Sequence, residues 1–324
     1  MNNPAYHVDV QDIFLNGTVN RMIKKVSIVG MGALGLMYAN WIAKEGGADS
    51  VSFVMDEERA QKYAGSVFTI NGESRQFNIV AAKDATPADL LIVAVKYTGL
   101  ESALDVMETS IDEHTIIMSV LNGISSEEII GKRYGTEHIV YTVAQGMDAM
   151  KFGNDLKYTQ MGALRIGLTD ITEQKSLDTV VEYFDSIKMP YVIEEDIIWR
   201  MWFKYMLNVG INQVCMVFDT TYAGALGEGE ANRSLIAAMR EVLAVANAKG
   251  INLTEEDLNK CIEIEKTLNP NGTPSMGQDR INRKPSEVEM FAGTIIKLGD
   301  ELGILVPENK YIYARVKEIE SEYA

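Results

Sequence analysis

The sequence predicts an α/β chain in which an N-terminal doubly wound parallel sheet is followed by an all-α second domain. Three observations predict it. The β-branched run Val26-Ser27-Ile28-Val29 leads into glycines at 30, 32 and 35 and then into a helix-forming stretch over 36–44. From residue 24 to about 193, strand-like and helix-like segments alternate, which implies a parallel sheet with right-handed crossovers. After Pro190 the character changes: beyond one last short strand-like run, long helical stretches take over.

Taken in order, strands are expected at 26–29, 51–55, 90–95, 115–120 and 138–143, with helices at 99–108 and 125–132 among them. The unbroken apolar run Leu90-Leu91-Ile92-Val93-Ala94-Val95 suits a strand covered on both faces. Residues 158–160 and 163–167 read as a hairpin around Met161-Gly162. A helix at 173–187 and a strand at 191–193 close this half. The second half reads as helices at 195–217, 230–249, 254–268, 287–302 and 310–320, with Gly250 and Gly303 at C-terminal stops. One turn-rich loop, Asn269-Pro270-Asn271-Gly272-Thr273-Pro274, interrupts them. The expected division is an extension over 1–21, a sheet domain over 22–194 and a helical domain over 195–324, with a cleft between the two domains.

Composition narrows the class of partner. A formal charge of −16 disfavours nucleic acid and anionic membrane surfaces. No run approaches the roughly 20 apolar residues needed to span a bilayer. Two cysteines, Cys215 and Cys261, both in expected helices, suggest a reduced, cytoplasmic protein in which they act as small buried hydrophobes. Residues 1–21 lack the basic start and apolar core of a signal peptide, and Met22 would make a natural start. The segment reads as a mobile extension or the product of an upstream start codon. No metal site is expected. Ile236, Ala237, Met239, Leu243 and Val245 suit core packing as well as a dimer interface, so a homodimer stays open.

Gly30-Met31-Gly32-Ala33-Leu34-Gly35 is the G-x-G-x-x-G of a Rossmann-type dinucleotide site, set after a strand and before a helix. Gly30 permits the tight turn, Gly32 lets the backbone approach a pyrophosphate, and Gly35 lets the helix pack on the strand. The helix N-terminus offers unpaired N–H groups and a positive dipole end to the phosphates. The second strand ends in Asp56, where an acidic side chain meets the ribose.

A nicotinamide enzyme acting on a carbonyl needs a proton donor and a substrate anchor. Histidine is the usual donor, but His7 lies in the extension, and His114 and His138 sit where turns enter strands. Lysine is the better candidate. Lys204, Asn208 and Asn212 recur every four residues in an otherwise apolar helix, so they share one face. Burial would lower the lysine's pKa and help it donate a proton, while the amides could hold a hydroxyl or carboxylate without adding charge. A snorkelling lysine beside two loop-binding asparagines has the same periodicity. Periodicity alone leaves both open.

Further residues carry a resemblance. Gly30 to Gly35, Leu91-Ile92-Val93-Ala94-Val95-Lys96, Leu121-Asn122-Gly123, Lys204-x-x-x-Asn208-x-x-x-Asn212, and Pro274-Ser275-Met276-x-Gln278-Asp279 with Glu287 come in one order. The ending Gly303-Ile304-Leu305-Val306-Pro307-Glu308-Asn309 follows. From Ile23 onward the chain resembles the ketopantoate reductase (2-dehydropantoate 2-reductase) family. The resemblance implies reduction of the 2-keto acid 2-dehydropantoate to (R)-pantoate, on the route to pantothenate and coenzyme A. Lys204 would protonate the C2 oxygen as hydride arrives, and Glu287 would fix the lysine and substrate electrostatically. Asn208, Asn212 and Ser275 would bind the substrate, while Lys96 and Asn122 would face cofactor and cleft. Lys96 could otherwise be an exposed lysine after a strand, and Ser275 a helix N-cap.

One position departs from the family pattern. Members using NADPH commonly place an arginine where this chain has Asp56, which favours the ribose 2′-hydroxyl of NADH and repels a 2′-phosphate. NADP(H) is the family expectation, and NAD(H) is the alternative that Asp56 raises. Two other functions compete. One is an NADH-dependent D-2-hydroxyacid dehydrogenase acting on branched 2-keto acids; the other is a non-catalytic dinucleotide sensor, which would not need a proton donor.

Overall fold

The computed structural model describes residues 22–170 and 173–323, so the expectations for residues 1–21, His7 included, lie outside the described residues. Five parallel strands form the main sheet in the order Asn78–Ala81, Val51–Met55, Val26–Val29, Leu90–Val93 and Ile116–Ser119. Val26–Val29 lies at the centre and is buried along its whole length. Its neighbours start in register, Val26 facing Val51 on one side and Leu90 on the other. Sandwiching removes both strand faces from water, which is why these segments carry continuous rather than alternating apolar residues. The sheet reverses its winding beside this central strand, opening a crevice at the carboxyl ends.

The expected segment at 90–95 leaves the ladder at Val93, because Ala94 and Val95 turn to pass close over Gly30. The expected strand at 138–143 is corrected more deeply. Residues Thr136–His138 form a 3-10 turn, Ile139 makes a single parallel bridge to Ile117, and the chain then starts a second sheet at Tyr141–Met147. That strand pairs antiparallel with Met161–Gly167, which pairs in turn with Tyr191–Ile193. The hairpin expected around Met161-Gly162 does not exist. Gly162 lies inside a strand at φ 64°, opposite Gly146 at φ 82°. The local hairpin is Met150–Phe152 with Asp155–Lys157, closed by the two-residue loop Gly153-Asn154, and it joins a small outer sheet with Phe68–Ile70 and Glu73–Arg75. Met161 pairs with Met147 rather than with its immediate neighbours because the intervening hairpin folds on itself first.

In the second half, Ile197–Val217 is the central helix, buried on almost every side, with Asp196 capping it by accepting a hydrogen bond from the Trp199 N–H (2.8 Å). Around it pack Glu230–Ala248, Glu255–Lys266, Ser275–Ile281 and Pro307–Ser321. Its faces differ because only one strip, carrying Lys204, turns toward strand Tyr141–Met147. The helix expected at 287–302 begins as a π-turn over Glu289–Gly293 and becomes α-helical only at Thr294–Leu302, leaving Glu287 ahead of it. Met239 and Val245 are fully buried and serve the core, whereas Ile236 and Leu243 lie at its margin. Cys215 and Cys261 are free, buried thiols. Among the described residues no helix is long and apolar enough to cross a membrane.

Candidate active site

Four expected site positions lie at or just past the carboxyl ends of main-sheet strands: Gly30 after Val29, Asp56 after Met55, Lys96 near Val93 and Asn122 near Ser119. The glycine turn separates two kinds of need. Gly30 has φ 111°, and a Cβ there would lie 2.4 Å from the Ala94 carbonyl oxygen. A Cβ at Gly35 would lie 2.0 Å from the Gly30 oxygen. Those two glycines are demanded by the fold itself. Gly32 is not: its nearest neighbour would be 3.8 Å away. Gly32 is exposed at the N-terminus of Ala33–Gly46, a helix without a side-chain cap. Open surface and uncapped N–H groups there fit the pyrophosphate of a dinucleotide. Met31, Ala33 and Leu34 pack against the core and hold the turn in place.

Asp56 is the N-cap of helix Glu57–Tyr63, accepting from the Arg59 N–H at 2.8 Å. Arg59 Nε also lies 3.5 Å from the Asp56 carboxylate, so the arginine is drawn onto the acid. The acidic residue occupies the position that reads the adenosine ribose in this fold.

Lys204 reaches across the cleft from the central helix. Its Nζ donates to Asn122 Oδ1 at 2.9 Å and to the Ala144 carbonyl at 2.5 Å. A lysine has three N–H donors, so one remains for a substrate. The dense surroundings lower its pKa to about 8, against which the charge of Glu287 pulls upward. Asn122 serves both ends: it accepts from Lys204 and donates to the Glu287 carboxylate, which also accepts from the Tyr97 backbone N–H. Burial raises the pKa of Glu287, with Lys96 opposing that rise. The lysine is therefore fixed by the sheet half as well as the helical half.

One and two turns along the same helix, Asn208 and Asn212 are buried, and Asn212 Nδ2 donates to Asn208 Oδ1 at 3.2 Å. Ser275 Oγ donates to Asn212 Oδ1 at 2.8 Å, and the Met276 N–H points at the same oxygen at 3.4 Å. The N-cap alternative for Ser275 is corrected: Pro274 holds the N-cap position, and Ser275 is the first helical residue with its hydroxyl turned to the asparagine. Proline at 274 already fixes the helix entry, which frees the serine for that bond.

Exposed Lys96 pairs with Asp279, which is more buried, at 3.3 Å. Asp279 stood in the sequence motif without a role; it ties the end of a sheet strand to the helix that carries Ser275. The Ala144 carbonyl and the Tyr97 N–H were missed too, since a backbone group leaves no residue-type signal. His114 and His138 line a hollow with Ile23, Asp89 and Thr115 by the amino ends of the strands, on the opposite edge of the sheet.

Comparison with known proteins fits this geometry. The family model described as ketopantoate reductase PanE/ApbA matches residues 26–170, and its C-terminal counterpart matches residues 196–320. The chain is 24% identical over 288 residues to 2-dehydropantoate 2-reductase of Streptococcus pyogenes serotype M1, covering 87% of this chain and 93% of that one. A PanE/ApbA family ketopantoate reductase from Ralstonia eutropha JMP134 is similar in fold, with a TM-score of 0.79, 23% identity, and 92% and 99% of the two chains covered. D-mandelate dehydrogenase in a ternary structure with NADH and anilino(oxo)acetate is similar at a TM-score of 0.81 and 22% identity, with the same coverage of 92% and 99%.

Proposed function

From the premise that the chain belongs to the ketopantoate reductase family, we propose that it reduces 2-dehydropantoate to (R)-pantoate with NADP(H) as cofactor. One observation carries the reading: Lys204, Asn122 and Glu287 form a connected group at the carboxyl edge of the sheet, beside an open glycine turn. Under the same proposal residues 22–194 hold the cofactor and 195–324 carry the substrate side. The two largest apolar cores, one within 23–189 and one within 202–316, support that division, and a small cluster of Val143, Ile197 and Met201 joins the two halves.

A bound nicotinamide cofactor supplies the hydride. Gly30 to Gly35 and the helix they open would hold its pyrophosphate, Asp56 would meet its ribose, and Lys96 and Asn122 would face its other end. Lys204 donates its free proton to the substrate's C2 oxygen. A pKa of about 8 leaves the ammonium dominant at neutral pH, yet acidic enough to protonate an alkoxide readily. Glu287 offsets the cost of the buried charge and, through Asn122, fixes the direction in which the lysine points. The Asn208–Asn212–Ser275 chain offers hydroxyl and amide groups to the substrate's carboxylate and hydroxyl without adding charge.

Asp56 favours a second reading, an NADH-dependent D-2-hydroxyacid dehydrogenase for branched 2-keto acids. Steady-state assays with 2-dehydropantoate and 2-ketoisocaproate, each with NADPH and NADH, separate the two. A kcat/KM highest for 2-ketoisocaproate with NADH would overturn the first choice. Lys204→Ala is expected to lose about 10²–10⁴-fold in kcat while cofactor still binds. Near-wild-type turnover in that variant would rule out the lysine as proton donor, whereas no turnover of either keto acid by the wild-type chain would favour the third reading, a dinucleotide sensor.

A further inference from the structure

Beneath the Asn122 loop lies a buried acid that the proposed chemistry does not use. Glu127 is 2% exposed, in the first turn of helix Ser126–Tyr134. Its carboxylate accepts from the Ser126 hydroxyl at 2.8 Å, and Ser126 Oγ lies 2.8 Å from Ser119 Oγ. Ser119 ends a main-sheet strand, and its Oγ accepts the Leu121 backbone N–H at 3.4 Å. Both serines are fully buried. Among the described residues no cation shifts Glu127; burial pushes its carboxyl up to about 7, and the Ser126 hydroxyl and its own backbone N–H pull it back.

The polarity of this chain is set from its two ends. A backbone N–H can only donate, and an ionised carboxylate can only accept. With Glu127 ionised, the form that prevails above about pH 7, Ser119 accepts from Leu121 and donates to Ser126, which donates to Glu127. Hydrogen bonds aligned in one direction reinforce each other in a low-dielectric interior. The residue after Leu121 is Asn122, which holds both Lys204 and Glu287. Tyr141, whose phenol feels the Glu127 charge, lies on the strand whose Ala144 carbonyl holds Lys204 from the other side.

We propose that Glu127 is a positioning residue: its carboxylate terminates the Leu121–Ser119–Ser126 chain and thereby fixes Asn122 against Lys204. The proposal rests on Lys204 being the proton donor, and deepens that reading. A buried acid costs stability unless something requires its charge. Here the charge gives the serine hydroxyls a single orientation, which a neutral amide would not enforce.

The test uses the full chain and two variants, Glu127→Gln, which keeps the shape, and Ser126→Ala, which keeps the carboxylate but cuts the chain. Each is expected to lower kcat about tenfold, as a small displacement of a catalytic group does, with cofactor affinity within about twofold of wild type. In an Asn122→Ala background Glu127→Gln is expected to cost nothing further, because both act through the same side chain. Additive losses in that cycle would overturn the proposal in favour of a purely structural role. Two readouts need no turnover: amide hydrogen exchange over residues 119–125, expected to quicken, and pH-dependent labelling of Lys204 by acetic anhydride, expected to shift. Wild-type exchange and labelling in both variants would sink the positioning role, whereas absent wild-type turnover on 2-dehydropantoate would sink only the substrate assignment.

Discussion

A lysine acting as general acid at a pKa of about 8 leaves a signature in the pH dependence of the reaction. The proposed mechanism requires the protonated lysine for reduction, so the active fraction is expected to fall as pH rises through that value. With a pKa of 8 the ammonium is about 90% populated at pH 7 and about 9% populated at pH 9. Reduction, followed as kcat/KM for the keto acid at saturating cofactor, should therefore drop roughly tenfold between pH 7 and pH 9. An ordinary lysine at its usual value of 10.5 would remain about 97% protonated at pH 9 and show no such loss. The reverse oxidation needs the neutral amine and should rise over the same interval. Glu287→Gln provides the internal control. The Glu287 charge pulls the lysine upward, so its removal should move the alkaline limb to lower pH. The assay is initial-rate nicotinamide absorbance from pH 6 to 10 in buffers of constant ionic strength. A flat reduction profile to pH 9.5 would refute the donor, and an upward move of the limb in Glu287→Gln would refute the influence ascribed to Glu287.

Other predictions follow from the same contacts. Gly35→Ala puts a Cβ 2.0 Å from the Gly30 oxygen and should destabilise by more than about 3 kcal/mol, whereas Gly32→Ala, with 3.8 Å of clearance, should keep its Tm and weaken cofactor binding. Thermal melts and nicotinamide fluorescence titrations compare them, and equal losses of Tm would contradict the division. Asp56→Ser keeps an N-cap oxygen for the Arg59 N–H while removing the charge, so the kcat/KM ratio of NADPH to NADH should rise at least about tenfold. An unchanged ratio would remove Asp56 from cofactor choice. Glu265 is fully buried, with neither oxygen partnered among the described residues, beside Cys215, Cys261 and Tyr222, and burial raises its carboxyl from 4.5 to about 8. Its folded form keeps the proton while the unfolded chain releases it, so stability declines as pH rises from 4.5 toward 8, by at most about 5 kcal/mol (3.5 units at 1.36 kcal/mol). Glu265→Leu should flatten that slope in urea unfolding at pH 5 and pH 8, and an unaltered slope would show that the carboxyl is solvated.

The parts legible in the sequence share a short range. Strand 26–29 with its glycine turn, the helices at 197–217 and 230–248, and the face shared by Lys204, Asn208 and Asn212 depend on residues within a few positions of one another. Periodicity reports such relations directly. Strand partners do not have that property. Residues 141–147 and 161–167 carry an ordinary strand composition, and nothing local states that they pair with each other across the folded 150–157 segment. The Gly153-Asn154 pair is a local hairpin signal, a two-residue turn between short runs that pair with each other.

By itself, the sequence determined the fold class, the glycine turn and the chemical types present at the site, because each follows from local composition and spacing. The tertiary structure decided what those groups do to one another. Asn122 lies 82 positions from Lys204, and only packing of the two halves brings its amide within 2.9 Å and joins it to Glu287. The same packing turns an ordinary lysine into one of pKa about 8 and places the Ala144 carbonyl opposite it. Desolvation and hydrogen-bond partners are properties of neighbours in space, and a buried acid such as Glu127 acquires a reason to be charged only when the residues around it are known.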